Sequence, residues 1–158
     1  MTNETNSSAS ANAAKRLARL AAVQALYQST YGEETLAQIV RGSIDQGFKA
    51  FIEDEGAETF AAPDAELFSS LVFGVAENQE QLDELLAGAL DARFSPERME
   101  ILLRMILRAG TFELLHQGST PAPIIISDYV DVARAFFQAK EPGLVNAVLD
   151  KLAKKLRD

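Results

Sequence analysis

Apolar residues recur along this chain at the three- and four-residue spacing of amphipathic helices. Residues 1–11, rich in Ser, Thr and Asn, read as a disordered tail. Asn12 is the expected cap of a first helix running to about Tyr31, where Gly32 supplies a stop. A second helix over about 33–53 carries the stripe Leu36, Ile39, Val40, Ile44, Phe48 and Phe51. "EDEGAETFAAP" reads as a loop ending at Pro63. Asp64 then opens a long helical region to about Leu90, bent near Gly74 or Asn78. Its period passes through Leu67, Leu71, Val75, Leu82, Leu85 and Leu86.

The next helix has a clear start signal, with Ser95 as N-cap, Pro96 at the first position and Glu97 in the first turn. Ile101, Leu102, Met105, Ile106, Phe112 and Leu115 form its stripe, and Gly118 closes it. "STPAPIII" is ambiguous, because three consecutive isoleucines favour a strand by propensity. The run is short, has no strand partner elsewhere and continues into helical spacing, so it reads as a loop feeding a helix over about 123–138. "EPG" at 141–143 reads as a break before a last helix over 144–157. There is no hairpin signal and no internal repeat. The expected architecture is all-α, about six or seven helices in a compact bundle, with 12–158 as a single domain.

Composition sets the limits. At 158 residues, with 47% apolar and 24% charged, the chain can bury a real core. Without cysteine it has no thiolate nucleophile, disulfide or thiolate metal site. The polar start "MTNETNSSASAN" lacks the apolar region of a signal peptide, and no apolar run approaches a bilayer-spanning length, so a cytoplasmic protein without membrane contact is expected. Charge is unevenly spread: +2 over 1–31, −12 over 32–100 and +2 over 101–158. Such asymmetry suggests two surfaces with different partners.

No catalytic constellation can be assembled. His116, the single histidine, lies near a helix C-terminus, where a structural role is enough to explain it. Phosphate-loop, nucleophile-elbow and zinc-protease motifs are missing, and no loop has calcium-ligand spacing. Carboxylates such as Asp83 and Glu84 read as solvated faces. No enzyme, cofactor or metal site is expected.

The stretch "KRLARLAAVQALYQ", Lys15 to Gln28, is different, with three cations and no carboxylate in a chain of net charge −8. Cations near a helix start oppose the helix dipole, so an anionic partner is a natural reason for them. At about 100° per residue, Arg16, Arg19, Val23, Tyr27 and Tyr31 share one stripe with Lys15 beside it. The opposite side, with Leu17, Ala18, Ala21, Ala22, Ala25 and Leu26, is apolar enough to enter the core. Cations can hold phosphates and aromatic rings can stack bases, so the stripe is a candidate RNA surface as well as an ordinary solvated face. Lys151, Lys154, Lys155 and Arg157 add cations on the last helix, where they also complement its dipole.

Five stretches in order, "AVQALYQ", "LVFGVAENQEQLDELL", "ILRAGTFELL", "ISDYVDVARAF" and "LVNAVLDKLAKKLR", resemble the NusB family of bacterial transcription antitermination factors. The resemblance covers nearly everything after the tail. It implies an all-helical fold of two small subdomains and a non-enzymatic adaptor. The expected ligand is the boxA element of nascent ribosomal RNA, bound together with NusE, a basic small-subunit ribosomal protein, in an antitermination complex on RNA polymerase. It places Lys15, Arg16 and Arg19 at the RNA, with Leu144 and Asn146 near the same surface; Lys151, among the cations of the last helix, is a further candidate for RNA. It places Glu97 and Glu100 near the protein partner, with Tyr27 as a contact for that partner or for a base.

The chain departs from the family pattern at Leu17, which interrupts the usual arginine run, and at Ala147, which replaces a glycine. Ser127 and Asp128 stand where Asn and Glu are usual. These changes bear on RNA affinity more than on fold. The alternatives are a self-associating helical module of the same fold, a homodimer when free, and an RNA-recognition domain like that preceding some ribosomal RNA methyltransferases.

Overall fold

The computed structural model describes residues 2–49, 62–91 and 95–157, with side-chain surroundings given from residue 9. Among these residues the structure is all-α, as expected, with seven helices and no strand. They are α1 (Thr2–Tyr31), α2 (Leu36–Asp45), α3 (Ala65–Glu77), α4 (Gln79–Ala89), α5 (Ile101–His116), α6 (Ala122–Phe136) and α7 (Glu141–Leu156). A 3-10 turn, Pro96–Arg98, precedes α5. Two compact units divide within α3: Met1–Val72 and Phe73–Asp158.

In the first unit α1 packs on α2. α1 begins at Thr2, ahead of the expected Asn12 cap, because nothing in 2–11 interrupts it: the segment has neither Pro nor Gly. It ends at the expected place, where the amide of Gly32 donates to the Gln28 carbonyl at 2.9 Å. α2 begins at Leu36, the first residue of its apolar stripe, and not at 33, because Thr35 and Gln38 form a capping box. The Gln38 amide donates to Thr35 Oγ1 at 3.1 Å, and the Thr35 amide donates to Gln38 Oε1 at 2.8 Å. Ile39 and Val40 are buried as predicted, whereas Ile44 is 40% exposed. Phe48 follows in a left-handed conformation, φ 58°, which a bulky side chain adopts only when its surroundings hold it there. Its buried ring meets Phe68 edge-on at 5.1 Å. Phe51 and most of the loop expected before Pro63 lie outside the described residues.

Asp64 caps α3 as expected, its Oδ1 accepting from the Leu67 amide at 3.0 Å. The Asp64 amide donates to the Ala14 carbonyl at 2.9 Å, tying the start of α3 to α1. Of the two bend sites read from the sequence, Asn78 is the one used. It separates α3 from α4, and its side-chain amide donates to the Gly74 carbonyl at 2.8 Å.

The second unit is organised on α5, which packs against α4, α6 and α7, while α6 and α7 pack on each other. Residues 105–114 of α5 are all buried. Three of them are polar or charged and have partners. Arg108 Nε and Nη2 donate to Asp83 Oδ1 and Oδ2, both at 2.8 Å. The Tyr129 hydroxyl donates to Glu113 Oε1 at 2.8 Å. Thr111 turns its hydroxyl back onto the Leu107 carbonyl at 2.7 Å. Asp83 is therefore a structural ion-pair partner rather than the solvated face read from its position among leucines. Around these groups Ile106, Leu107, Leu149 and Leu152 are at most 1% exposed. Each contributes about 2 kcal/mol of apolar burial. Glycine at position 110 matters because a Cβ there would lie 2.8 Å from Leu149 Cδ1.

Two expected boundaries move. The Ser95–Pro96 start signal opens only the 3-10 turn, and α5 proper begins at Ile101. Arg104 Nη2 bridges the gap by donating to the carbonyls of Glu97 (2.9 Å) and Met99 (3.1 Å). "EPG" does not break the chain; it forms the first turn of α7, where proline needs no amide partner. The isoleucine run lies in α6, as its continuation into helical spacing predicted.

Arg157 closes this unit. Its guanidinium donates to the carbonyls of Leu114 (3.0 Å), Thr120 (2.6 Å) and Gln117 (2.8 Å), with a longer bond to Glu113 (3.4 Å). They belong to the C-terminal turn of α5 and the turn after it, where the Glu113 and Gln117 carbonyls also accept from the Gln117 and Thr120 amides. Arg157→Ala is expected to lower unfolding free energy by about 2 kcal/mol, from the loss of charge-assisted bonds. Arg157→Lys is expected to recover only part of it, because one ammonium cannot span the same carbonyls. Urea unfolding followed by circular dichroism checks both.

Candidate nucleic-acid interface

α1 carries cations near its middle and aromatic rings in its last turns, with a largely enclosed stretch between them. Arg16 is exposed and Lys15 half-buried. Ala18, Arg19, Ala21, Ala22, Val23, Ala25 and Leu26 are all buried, so burial extends well beyond the alanine side. Arg19 is 2% exposed, which corrects its place in a solvent-facing stripe. The physical reason is the width of the apolar face. Val23, one turn along the same line, is fully buried and carries Arg19 inward with it. An apolar β-branched residue in the middle of the supposed stripe was the available signal. A guanidinium taken from water is held by compensating polar contacts in the fold, so Arg19 acts here as a structural cation.

The aromatic end stays open. Tyr27 is 38% and Tyr31 65% exposed, and their rings sit 5.0 Å apart at 59°. Gln24 and Gln28 are exposed beside them. Below this end, Ser29 and Thr30 return their hydroxyls to the Leu26 carbonyl and finish the helix.

In the second unit α7 presents Asn146, Ala147, Asp150, Lys151 and Lys154 to solvent, while Leu144 is half-buried. Asn146 is thus an exposed amide and not a buried or capping one. Lys154 pairs with Asp150 at 3.1 Å, an exposed contact of small energy that still offsets one charge. Arg157 is engaged at the end of α5 and leaves the group of last-helix cations available to a ligand. Glu97 and Glu100 are exposed, on the 3-10 turn and at the N-cap of α5, not in the first turn of a helix. His116 lies against the Phe112 ring at 4.6 Å, consistent with the structural role read for it. Among the described residues no group of three or more His, Cys, Asp or Glu could hold a metal ion, and no helix is long and apolar enough to cross a membrane.

The NusB family model matches residues 16–154. A transcription antitermination protein NusB from Sinorhizobium medicae is 44% identical over 140 residues, covering 89% of this chain and 86% of the relative. The solved structure of T. maritima NusB is 25% identical, covers 91% of this chain and 93% of that one, and superposes with a TM-score of 0.71. A structure of antitermination factors NusB and NusE in complex with double-stranded RNA matches at 24% identity, over 89% of this chain and 96% of that one, with a TM-score of 0.68. The chain belongs to the NusB family, a family of non-enzymatic transcription antitermination factors, as the five sequence segments implied.

The burial contrast within α1 separates two neighbouring arginines experimentally. Arg19→Ala is expected to cost about 3 kcal/mol of stability, since it empties a buried site and strands the groups around it. Arg16→Ala is expected to leave stability within about 0.5 kcal/mol of the parent. Denaturant unfolding of the two single variants distinguishes them.

Proposed function

We propose that this member of the NusB family is a non-catalytic adaptor that binds the boxA element of nascent ribosomal RNA together with NusE, within the antitermination complex on RNA polymerase in the cytoplasm. The observation that carries the reading is the 44% identity to a transcription antitermination protein over most of the chain. Two cations in the middle of α1 give it a physical basis: half-buried Lys15 and exposed Arg16 lie in a segment without carboxylates, in a protein that is otherwise acidic.

On this reading Lys15 and Arg16 hold RNA phosphates, and Asn146 and Lys151 on α7 add an exposed amide and an exposed cation. Leu144 shapes that surface from its edge. Arg19 contributes indirectly, by keeping α1 seated. Glu97 and Glu100 offer carboxylates to the basic partner on a segment that Arg104 fastens to α5. The homodimer and the self-associating module are not favoured by the match.

Lys15→Ala with Arg16→Ala is expected to weaken boxA binding at low salt and to flatten the salt dependence by about 1.4 logarithmic units per decade, the value for two phosphate contacts on a single strand. Fluorescence anisotropy at several salt concentrations measures both quantities. An unchanged slope would remove these two residues from the RNA surface. Glu97→Lys with Glu100→Lys is expected to weaken capture of NusE by at least tenfold while leaving the circular dichroism spectrum intact. Capture at parental strength would place the NusE surface elsewhere.

A further inference from the structure

The last helix exposes more cations than the boxA surface described above uses. Lys151 belongs to that surface, but Lys140, Lys154 and Lys155 are exposed as well. At about 100° per residue, Lys140, Gly143, Ala147, Lys151 and Lys154 fall within about 40° of one line along α7, with Lys155 at its edge. From Lys140 to Lys154 the line runs for about 21 Å. Between Lys140 and Lys151 it passes only Gly143 and Ala147, so no bulky side chain keeps a ligand strand off the helix.

Compensation of the helix dipole explains part of this set. Lys154 and Lys155 lie in the last turn, where cations are favoured. Lys140 is the N-cap, where they are disfavoured, and Lys151 precedes the last turn. Among the described residues, the carboxylate paired with these lysines is Asp150, 3.1 Å from Lys154. Glu141 lies off the line and is half-buried. Arg157 and Asp158, next in the sequence, balance in charge. The neighbours of α7 differ from it: α4 exposes Glu80 and Glu84 and has no cation, and Asp131 of α6 is paired with Arg134 at 3.0 Å. A polyanion on the second unit is therefore drawn to α7 and repelled by α4.

The line has no aromatic ring to stack a base and no planar group to read a base edge. Lysines act on phosphates as point charges, without regard to sequence. We propose that the lysine line of α7, ending at Lys154 and Lys155, holds the sugar–phosphate backbone of the single-stranded RNA that adjoins boxA. The inference rests on the reading above that the chain binds boxA, and it lengthens that site along α7.

The test uses the full chain with purified NusE held at one saturating concentration. Anisotropy compares labelled boxA alone with boxA carrying single-stranded flanks on both sides, the flanks in two different sequences. Flanks are expected to tighten binding to the parent about five- to twentyfold at about 0.1 M salt, equally for either flank sequence. Lys154→Gln with Lys155→Gln is expected to bind boxA alone as the parent does and to lose most of the gain from the flanks. Its salt slope for flanked RNA is expected to flatten by about 0.7 to 1.4 logarithmic units per decade. Asp150→Asn, which releases Lys154, is expected to tighten flanked RNA about two- to fivefold and to leave boxA alone unchanged. Flanks that add nothing to the parent would overturn the proposal while leaving the boxA reading standing. A gain that depends on flank sequence, or that the double lysine variant keeps in full, would also overturn it. An equal loss for boxA alone in that variant would overturn it by assigning both lysines to boxA itself. Failure of boxA alone to bind the parent would overturn the boxA reading and the proposal with it.

Discussion

The second unit depends on a helix with no solvated face through most of its length. α5 is buried from Met105 to Leu114, and that run includes Arg108, Thr111 and Glu113. Burying such groups unpaired would cost several kcal/mol each, so the fold has to provide partners at fixed places. It does so from different helices: Asp83 on α4 for Arg108, and Tyr129 on α6 for Glu113. Each pair sets the register of a neighbour against α5 more sharply than leucine packing could. Arg157 then adds the end of α7 by satisfying the carbonyls with which α5 terminates. With α4, α6 and α7 fixed in this way, Asn146 and Lys151 stand on a rigid outer side of α7.

The first unit meets a different constraint, that of one long helix asked to do two things. Alanines at 18, 21, 22 and 25 let neighbouring elements come close to α1, and the resulting enclosure takes in Arg19 and Val23. Arg16 remains exposed on one side of that enclosure, and Gln24, Tyr27, Gln28 and Tyr31 on the other. The middle of α1 keeps its cations in a stretch free of carboxylates, while its C-terminal end carries two rings followed by glutamates.

Much of this was legible in the residues. Helical spacing identified nearly every helix, and Gly32, Asp64 and Asn78 act where turn and cap chemistry placed them. The isoleucine run was resolved correctly because its continuation, not its propensity, decided it. What failed were boundaries set by competing local signals. Ser95–Pro96 starts a turn instead of a helix, since the chain between it and Ile101 is held by Arg104, whose role is visible only in three dimensions. The candidate site was legible as a set of charges and rings but not as a surface. A helical wheel cannot say how wide the buried face is, and Arg19 was lost for that reason. The partners of Asp83 and Arg157 come from distant positions in the chain, which no periodicity reports.

The central claim is a sequence-specific RNA adaptor whose affinity depends on a protein partner. Its most direct measurement is the anisotropy of labelled boxA RNA titrated with the unmodified protein, alone and with NusE, against a scrambled RNA of equal length. The account predicts preference for boxA over the scrambled strand and tighter binding when NusE is present. Equal affinity for both RNAs, unchanged by NusE, would contradict it.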